Sequence, residues 1–268
     1  MCNLNHQKRI LGIKLGCLII ALCASTACWS VEILEWELVN TLPHDQTTWT
    51  QGLFYAEDGD MIESSGLYEK SYVRELNPDT QKPKRTKYLP ANLFAEGITV
   101  HQDELFVLTW KENVALVLDP TTFKDIRSIP VTGEGWGITS TGEQLWMSNG
   151  SDRLINIDPQ TGTPLGSVSV THQGQPLNYL NELEWIEGYI YANRWFDHSV
   201  YVIDPESGAV VALINLNALA EPQTEINSNH VLNGIAWNAD HGLLSITGKY
   251  WPVLHQLKIS PYKTLSTN

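Results

Sequence analysis

Apolar residues along this chain alternate with polar ones in short runs, and the runs return in the same order. One series reads TQGLFY from residue 50, AEGITV from 95, GWGITS from 135, LNELEW from 180 and LNGIAW from 232. Each is followed, after a short polar turn, by a second apolar run: MIESSG, LFVLTW, LWMSNG, YIYANRW and LLSITGKYW. In register with these runs comes a turn signature behind an apolar strand: LNPDT at 76, LDPTT at 118, IDPQTG at 157, IDPESG at 203 and a degenerate ISPY at 259. Its prolines fall 42, 39, 46 and 56 residues apart, close to the length of one four-stranded propeller blade. Helical periodicity is confined to LNALAEP at 216–222. The pattern predicts an all-β fold, a five-bladed β-propeller. Because EILEWELVNTL at 32–42 precedes the first repeat and the fifth runs out at LHQLKI, the N-terminal strand is expected to close the last blade. A β-sandwich of this length would leave the phased repeats unexplained.

The ends of the chain refine this. Residues 1–27 carry Lys8, Arg9 and Lys14, then an apolar run to Leu22, then small residues suited to cleavage. They read as a signal peptide, so 28–268 is expected as a single propeller domain in the periplasm or secreted. The apolar run from Leu15 to Leu22 is too short to span a bilayer. Cys28 stands where a lipidated cysteine would follow the cleavage site, although Ser25 replaces the usual leucine. Cys2, Cys17 and Cys23 leave with the leader, so the exported body holds one thiol and its stability must come from its core. Setting aside the leader's three cations leaves 14 Lys and Arg against 30 Asp and Glu, a charge near −16 that argues against nucleic acid as a partner. The basic run KPKRTK at 82–87 reads as a solvated loop, and the protein is expected as a monomer.

In a propeller the first strand of each blade lines the central channel and presents side chains at its mouth. The residues in phase there are Gln51, Glu96, Trp136, Asn181 and Asn233, and the second strands end in Trp110, Asn149, Trp195 and Lys249. One carboxylate, several amides, an ammonium and indoles have the make-up of a small-molecule site. Each also has a structural reading: tryptophans pack, amides satisfy backbone groups, and Lys249 could be a surface lysine. Glu96 resists that reading, because a carboxylate beside Phe94 and near Trp110 would suffer desolvation, and its raised pKa would suit acid–base chemistry. HExxH, CxxC, P-loop, GxGxxG and GxSxG motifs are missing, and the eight histidines show no ligand spacing, so neither cofactor nor metal is expected.

TQGL with ESSG, FAEGIT, LTWK, GWGIT, NELEW, YANRW, LNGIAW and TGKYWP, in this order over about residues 40–260, resemble the glutamine cyclotransferases of the plant and bacterial type. The resemblance implies a five-bladed propeller that converts the N-terminal glutamine of peptides to pyroglutamate with loss of ammonia. The animal glutaminyl cyclases share the reaction only, being zinc α/β enzymes. It also implies that Glu96 is the acid–base carboxylate, with Gln51, Phe94, Trp110, Trp136, Asn181, Trp195 and Lys249 around the substrate. Lys249 and Asn181 are then expected to stabilise the γ-carbonyl oxygen. Two departures stand out. Trp49 replaces the phenylalanine of the family's FTQG, which keeps that pocket wall aromatic, and MSNGS replaces SDGS, which leaves Asn149 without an inherited role. Two other readings remain open: a non-catalytic periplasmic propeller binding peptide or sugar, and a metal-dependent lactonase-type propeller.

Overall fold

The computed structural model describes residues 31–263; the signal peptide expected over 1–27 and Cys28 lie outside the described residues. Five sheets follow one another in sequence and form the blades of a ring. Blade I comprises Thr50–Tyr55, Met61–Ser65, Tyr72–Leu76 and Pro83–Tyr88. Blade II runs Ala95–His101, Glu104–Thr109, Val114–Leu118 and Asp125–Pro130, and blade III Ile138–Ser140, Leu145–Ser148, Arg153–Ile157 and Pro164–Ser169. Blade IV comprises Leu180–Ile186, Tyr189–Arg194, Ser199–Ile203 and Val210–Asn215. Blade V takes Leu232–Asn238, Leu243–Gly248 and Val253–Ile259 from the end of the chain and Trp36–Pro43 from its beginning. The expected closure is thus present, with Trp36 opposite Ile259 and Pro43 opposite Val253. Just before it, Glu32–Ile33 pairs in parallel with the outer strand of blade IV, so one N-terminal segment stitches two blades together.

The repeating Asx-Pro signature has a physical role. Asn77, Asp119, Asp158 and Asp204 each turn a side-chain oxygen back onto backbone N–H groups two or three residues on, closing the loop from third to fourth strand. Blade V receives its fourth strand from the other end of the chain and needs no such turn, which accounts for the degenerate ISPY. The 56-residue final interval holds the helix Asn217–Ile226, longer than the predicted 216–222, whose Ala220 enters the core between blades IV and V.

That core is divided. Five apolar clusters occur among the described residues, one at each junction between neighbouring blades: Phe54, Ile62 and Leu105 between I and II, for example, and Leu42, Leu53 and Leu254 across the closure. Near the axis, where inner strands crowd, residues Gly52, Gly97, Gly137 and Gly234 recur in phase, and only blade IV breaks the series with Glu182. A Cβ on Gly137 would stand 2.0 Å from the carbonyl oxygen of Asn181 and 2.8 Å from the Cα of Glu182. Gly137→Ala is therefore expected to cost about 1–3 kcal/mol, read as a fall in Tm of about 2–4 °C per kcal/mol by calorimetry; an unchanged Tm would show that the axis can spread.

Candidate active site

In four blades the inner strand slips register at its first residues: between Thr50 and Gly52, Ala95 and Ile98, Leu180 and Leu183, and Leu232 and Ile235. A β-bulge unpairs the residues at the slip and re-aims their side chains. Those residues include Gln51, Glu96, Asn181 and Asn233, so the sequence phase marks a recurring backbone irregularity. Blade III begins its strand only at Ile138, and Trp136 sits in the approach to it. Second strands run back toward the same end, which brings Trp110, Asn149, Trp195 and Lys249 to one mouth. Asn149 is there as a turn former, its Oδ1 accepting from the N–H and hydroxyl of Ser151.

Glu96 and Lys249 are both buried at 4% exposure. Among the described residues no hydrogen bond or ion pair engages either head group; the Lys249 ammonium lies 4.9 Å from the centroid of the Trp49 ring. Burial pushes the Glu96 carboxyl well above the usual range, opposed by the charge of Lys249 and reinforced by Glu134 and Glu112. Burial likewise lowers Lys249 to about 8, with Glu96 pulling the other way. Two groups of opposite sign thus stand within each other's field with nothing bonded between them. Several neighbouring polar atoms are also buried without partners: Asn181 Oδ1, Asn233 Oδ1, Asn193 Nδ2 and Trp49 Nε1. These atoms are open to bonds from water or from whatever enters the mouth.

The walls are aromatic, their rings meeting edge to face or, for Phe94 and Trp110, at a tilt. Phe94 meets Trp110 at 5.5 Å and Tyr68 at 5.4 Å, Trp136 meets Trp195 at 5.5 Å, and Trp49 meets Tyr250 at 5.0 Å. Glu134 fixes two of them, its Oε2 accepting from Trp110 Nε1 at 2.9 Å and from Trp136 Nε1 at 3.0 Å. Sequence reasoning missed Glu134, although an acid two residues before Trp136 in GEGWG was the available signal. It also missed Asn193 and the channel acids. Glu182 fills the ring's one non-glycine position and reaches over the axis to accept from the N–H groups of Leu53 and Ile235. Its carboxyl is raised by burial, and the nearby Glu184 is pushed by burial to about 8.

Beneath Lys249 lies a buried polar knot. His44 Nε2 and Glu63 Oε1 are 2.8 Å apart, Arg74 donates from Nε to Glu63 Oε2 at 2.9 Å, and the Thr50 hydroxyl donates to Glu63 Oε1 at 2.8 Å. His44 also holds the turn carrying Lys249, through its N–H on the carbonyl of Pro252 and its Nδ1 against that of Trp251. Thr48 accepts the Tyr250 N–H into its carbonyl, completing the clamp.

Three carboxylates that approach one another, Asp58, Asp60 and Glu75, lie on blade I, where Asp60 and Glu75 pair with Lys84 and Arg85. Asp58 and Asp60 belong to the turn joining its first and second strands, at the ring end opposite Glu96. No helix among the described residues is long and apolar enough to cross a membrane.

A sequence model of the family described as glutamine cyclotransferase matches residues 13–259. A glutaminyl-peptide cyclotransferase of Arabidopsis thaliana is 35% identical over 244 residues, covering 89% of this chain and 76% of that protein. Among solved structures, the glutaminyl cyclase of Myxococcus xanthus superposes with a TM-score of 0.80 at 32% identity, covering 87% of this chain and all of that one.

Proposed function

The chain belongs to the glutamine cyclotransferase family, and from that membership we propose that it cyclises the N-terminal glutamine of peptides to pyroglutamate by a metal-independent proton shuttle on Glu96. The observation that carries the mechanism is the pair of buried, unbonded groups of opposite charge at an aromatic mouth.

Nucleophile and electrophile belong to one residue, so the site has only to bend the glutamine side chain and keep its α-amine neutral. The amine nitrogen attacks Cδ, a new N–Cδ bond forms, and the old bond from Cδ to the amide nitrogen breaks. Glu96 takes the proton shed by the attacking nitrogen and delivers it to the departing one, which leaves as ammonia. A carboxyl group lifted by burial above the usual carboxylate range holds a proton more firmly, which suits a group that must take one up and then give it back. Negative charge gathers meanwhile on the γ-carbonyl oxygen, where the Lys249 ammonium stabilises it. The carboxamide of Asn181 is the second group assigned there, through its Nδ2–H, since its Oδ1 can only accept. Trp110, Trp136, Trp195, Trp49 and Phe94 hold the bent conformer and keep out the water that would compete with the amine, while Gln51 lies against Asn233 at 3.5 Å on the mouth floor.

The leader expected over 1–27 supports export, with Cys28 available for a lipid anchor, and the net negative charge supports a peptide rather than a nucleic acid as substrate.

Ammonia release from a glutaminyl peptide, followed against pH with and without a chelator, tests the mechanism. Rate should be indifferent to chelation. The neutral amine is gained and the Lys249 ammonium lost as pH rises through about 8, so kcat/KM should be bell-shaped, with an alkaline limb that moves upward in Lys249→Arg. Loss of activity on chelation would return the metal-dependent propeller to first place.

A further inference from the structure

Nine large apolar side chains are well exposed among the described residues, and six of them (Ile33, Leu38, Val39, Tyr88, Ile126, Leu165) sit on the outermost strands of the sheets. The other three, Tyr68, Tyr179 and Phe196, stand at the mouth. Tyr68 is already engaged, its hydroxyl donating to Glu112 at 2.7 Å. Tyr179 and Phe196 differ from it. Both are on blade IV, at 51% and 64% exposure, and neither ring spends its outer face on another residue.

Both also hold a backbone conformation that bulky residues avoid, φ 68° at Tyr179 and φ 62° at Phe196. Strain of this kind persists only where the surroundings impose it. Here they do: Tyr179 donates its N–H to Gly150 and accepts from Trp195, and the adjacent Asn178 carbonyl accepts from Arg194 Nε, whose guanidinium is in turn paired with Asp197 at 3.2 Å. The result is a fixed display rather than a loose loop. Phe196 stacks on Trp195 with centroids 4.4 Å apart and planes 23° from parallel, and Trp195 in turn meets Trp136 inside the pocket. An apolar surface therefore runs without a break from the glutamine site out onto the rim.

On the cyclase reading above, we propose that Phe196 and Tyr179 form a subsite for the side chain of the residue that follows the N-terminal glutamine, and that it selects large aromatic side chains there. The peptide leaves the pocket through this mouth, and its second residue is the first part of the substrate beyond the bent glutamine. A flat ring laid on Phe196 extends the stack that Trp195 begins, and an aromatic pair of this sort is worth about three- to tenfold in affinity beyond the area it buries.

The test compares kcat/KM for Gln-Phe amide and Gln-Gly amide within each enzyme, so that any general loss of folded protein cancels in the ratio. Wild type should favour Gln-Phe amide by about tenfold or more. Phe196→Asn and Tyr179→Asn remove the rings while keeping a residue that tolerates positive φ; each should cut the ratio severalfold, and the double variant should bring it near one. Equal use of both substrates by wild type, or a ratio that survives the double variant, overturns the subsite and leaves the cyclase reading standing. Failure of wild type to turn over either peptide overturns both.

Discussion

Glu96→Gln is expected to lower kcat for ammonia release by about 10²–10⁴ with the fold intact. The substitution keeps the shape of the side chain and removes its ability to take up and return a proton. The wild-type carboxyl is buried with its pKa driven upward by desolvation, against only partial relief from Lys249. A neutral amide in the same place no longer bears that penalty, so the variant should melt at the wild-type temperature or above it, as is common where a strained group serves catalysis. Activity and stability should thus move apart, which separates loss of a reacting group from loss of structure. Turnover within a few fold of wild type would remove Glu96 from the mechanism. A parallel loss of Tm would make it a packing residue.

Glu63→Gln should have the largest effect on stability, about 3–5 kcal/mol, or roughly 10 °C in Tm for a domain of this size. Burial by itself would raise the Glu63 carboxyl, but His44, Arg74 and the Thr50 hydroxyl together hold it at about 2. An amide cannot balance the Arg74 guanidinium, which would be left buried with only the more exposed Asp45 as ionic partner. The pH dependence follows from the same shift. A carboxyl at about 2 in the folded protein against 4.5 unfolded contributes stability that is fully present above pH 4.5 and fades as pH falls toward 2. Chemical denaturation between pH 7 and pH 3 should show that loss in wild type and less of it in the variant. Matching acid limbs would place the acid sensitivity elsewhere. Because His44 also clamps the turn bearing Lys249, the variant should lose kcat as well.

Much of this was readable before any coordinates. The blade count and the closure came from phased repeats because each blade demands the same alternation and, in four cases, the same Asx turn; where the fourth strand arrives from elsewhere, the turn decays and so does the motif at 259. Glu96 could be read because a charged residue between apolar neighbours breaks a pattern. Lys249 was less secure, since nothing in TGKYWP separates a buried lysine from a surface one. What burial it has comes from contacts remote in sequence, the Trp49 ring and the clamp from His44 and Thr48. Glu134 and Glu182 stayed hidden for a related reason. Glu134 matters through two indoles that the fold brings to it, and Glu182 through the amides of Leu53 and Ile235, which reach it only once the ring has closed. Tyr179 and Phe196 carried no signal at all, because the strain and exposure that distinguish them belong to the backbone.

The two-blade stitch at the beginning of the chain has a consequence for folding. Trp36–Pro43 finds its partner in Val253–Ile259, more than 200 residues further along the chain. Until the two pair, four blades can stack on their neighbours while an apolar flank of the first, around Leu53 and Met61, stays open to solvent. Contacts this distant along a chain are slow to form, and the exposed interval is when association with other molecules competes. Closure of the ring thus rests on the pairing in blade V that spans the greatest distance along the chain.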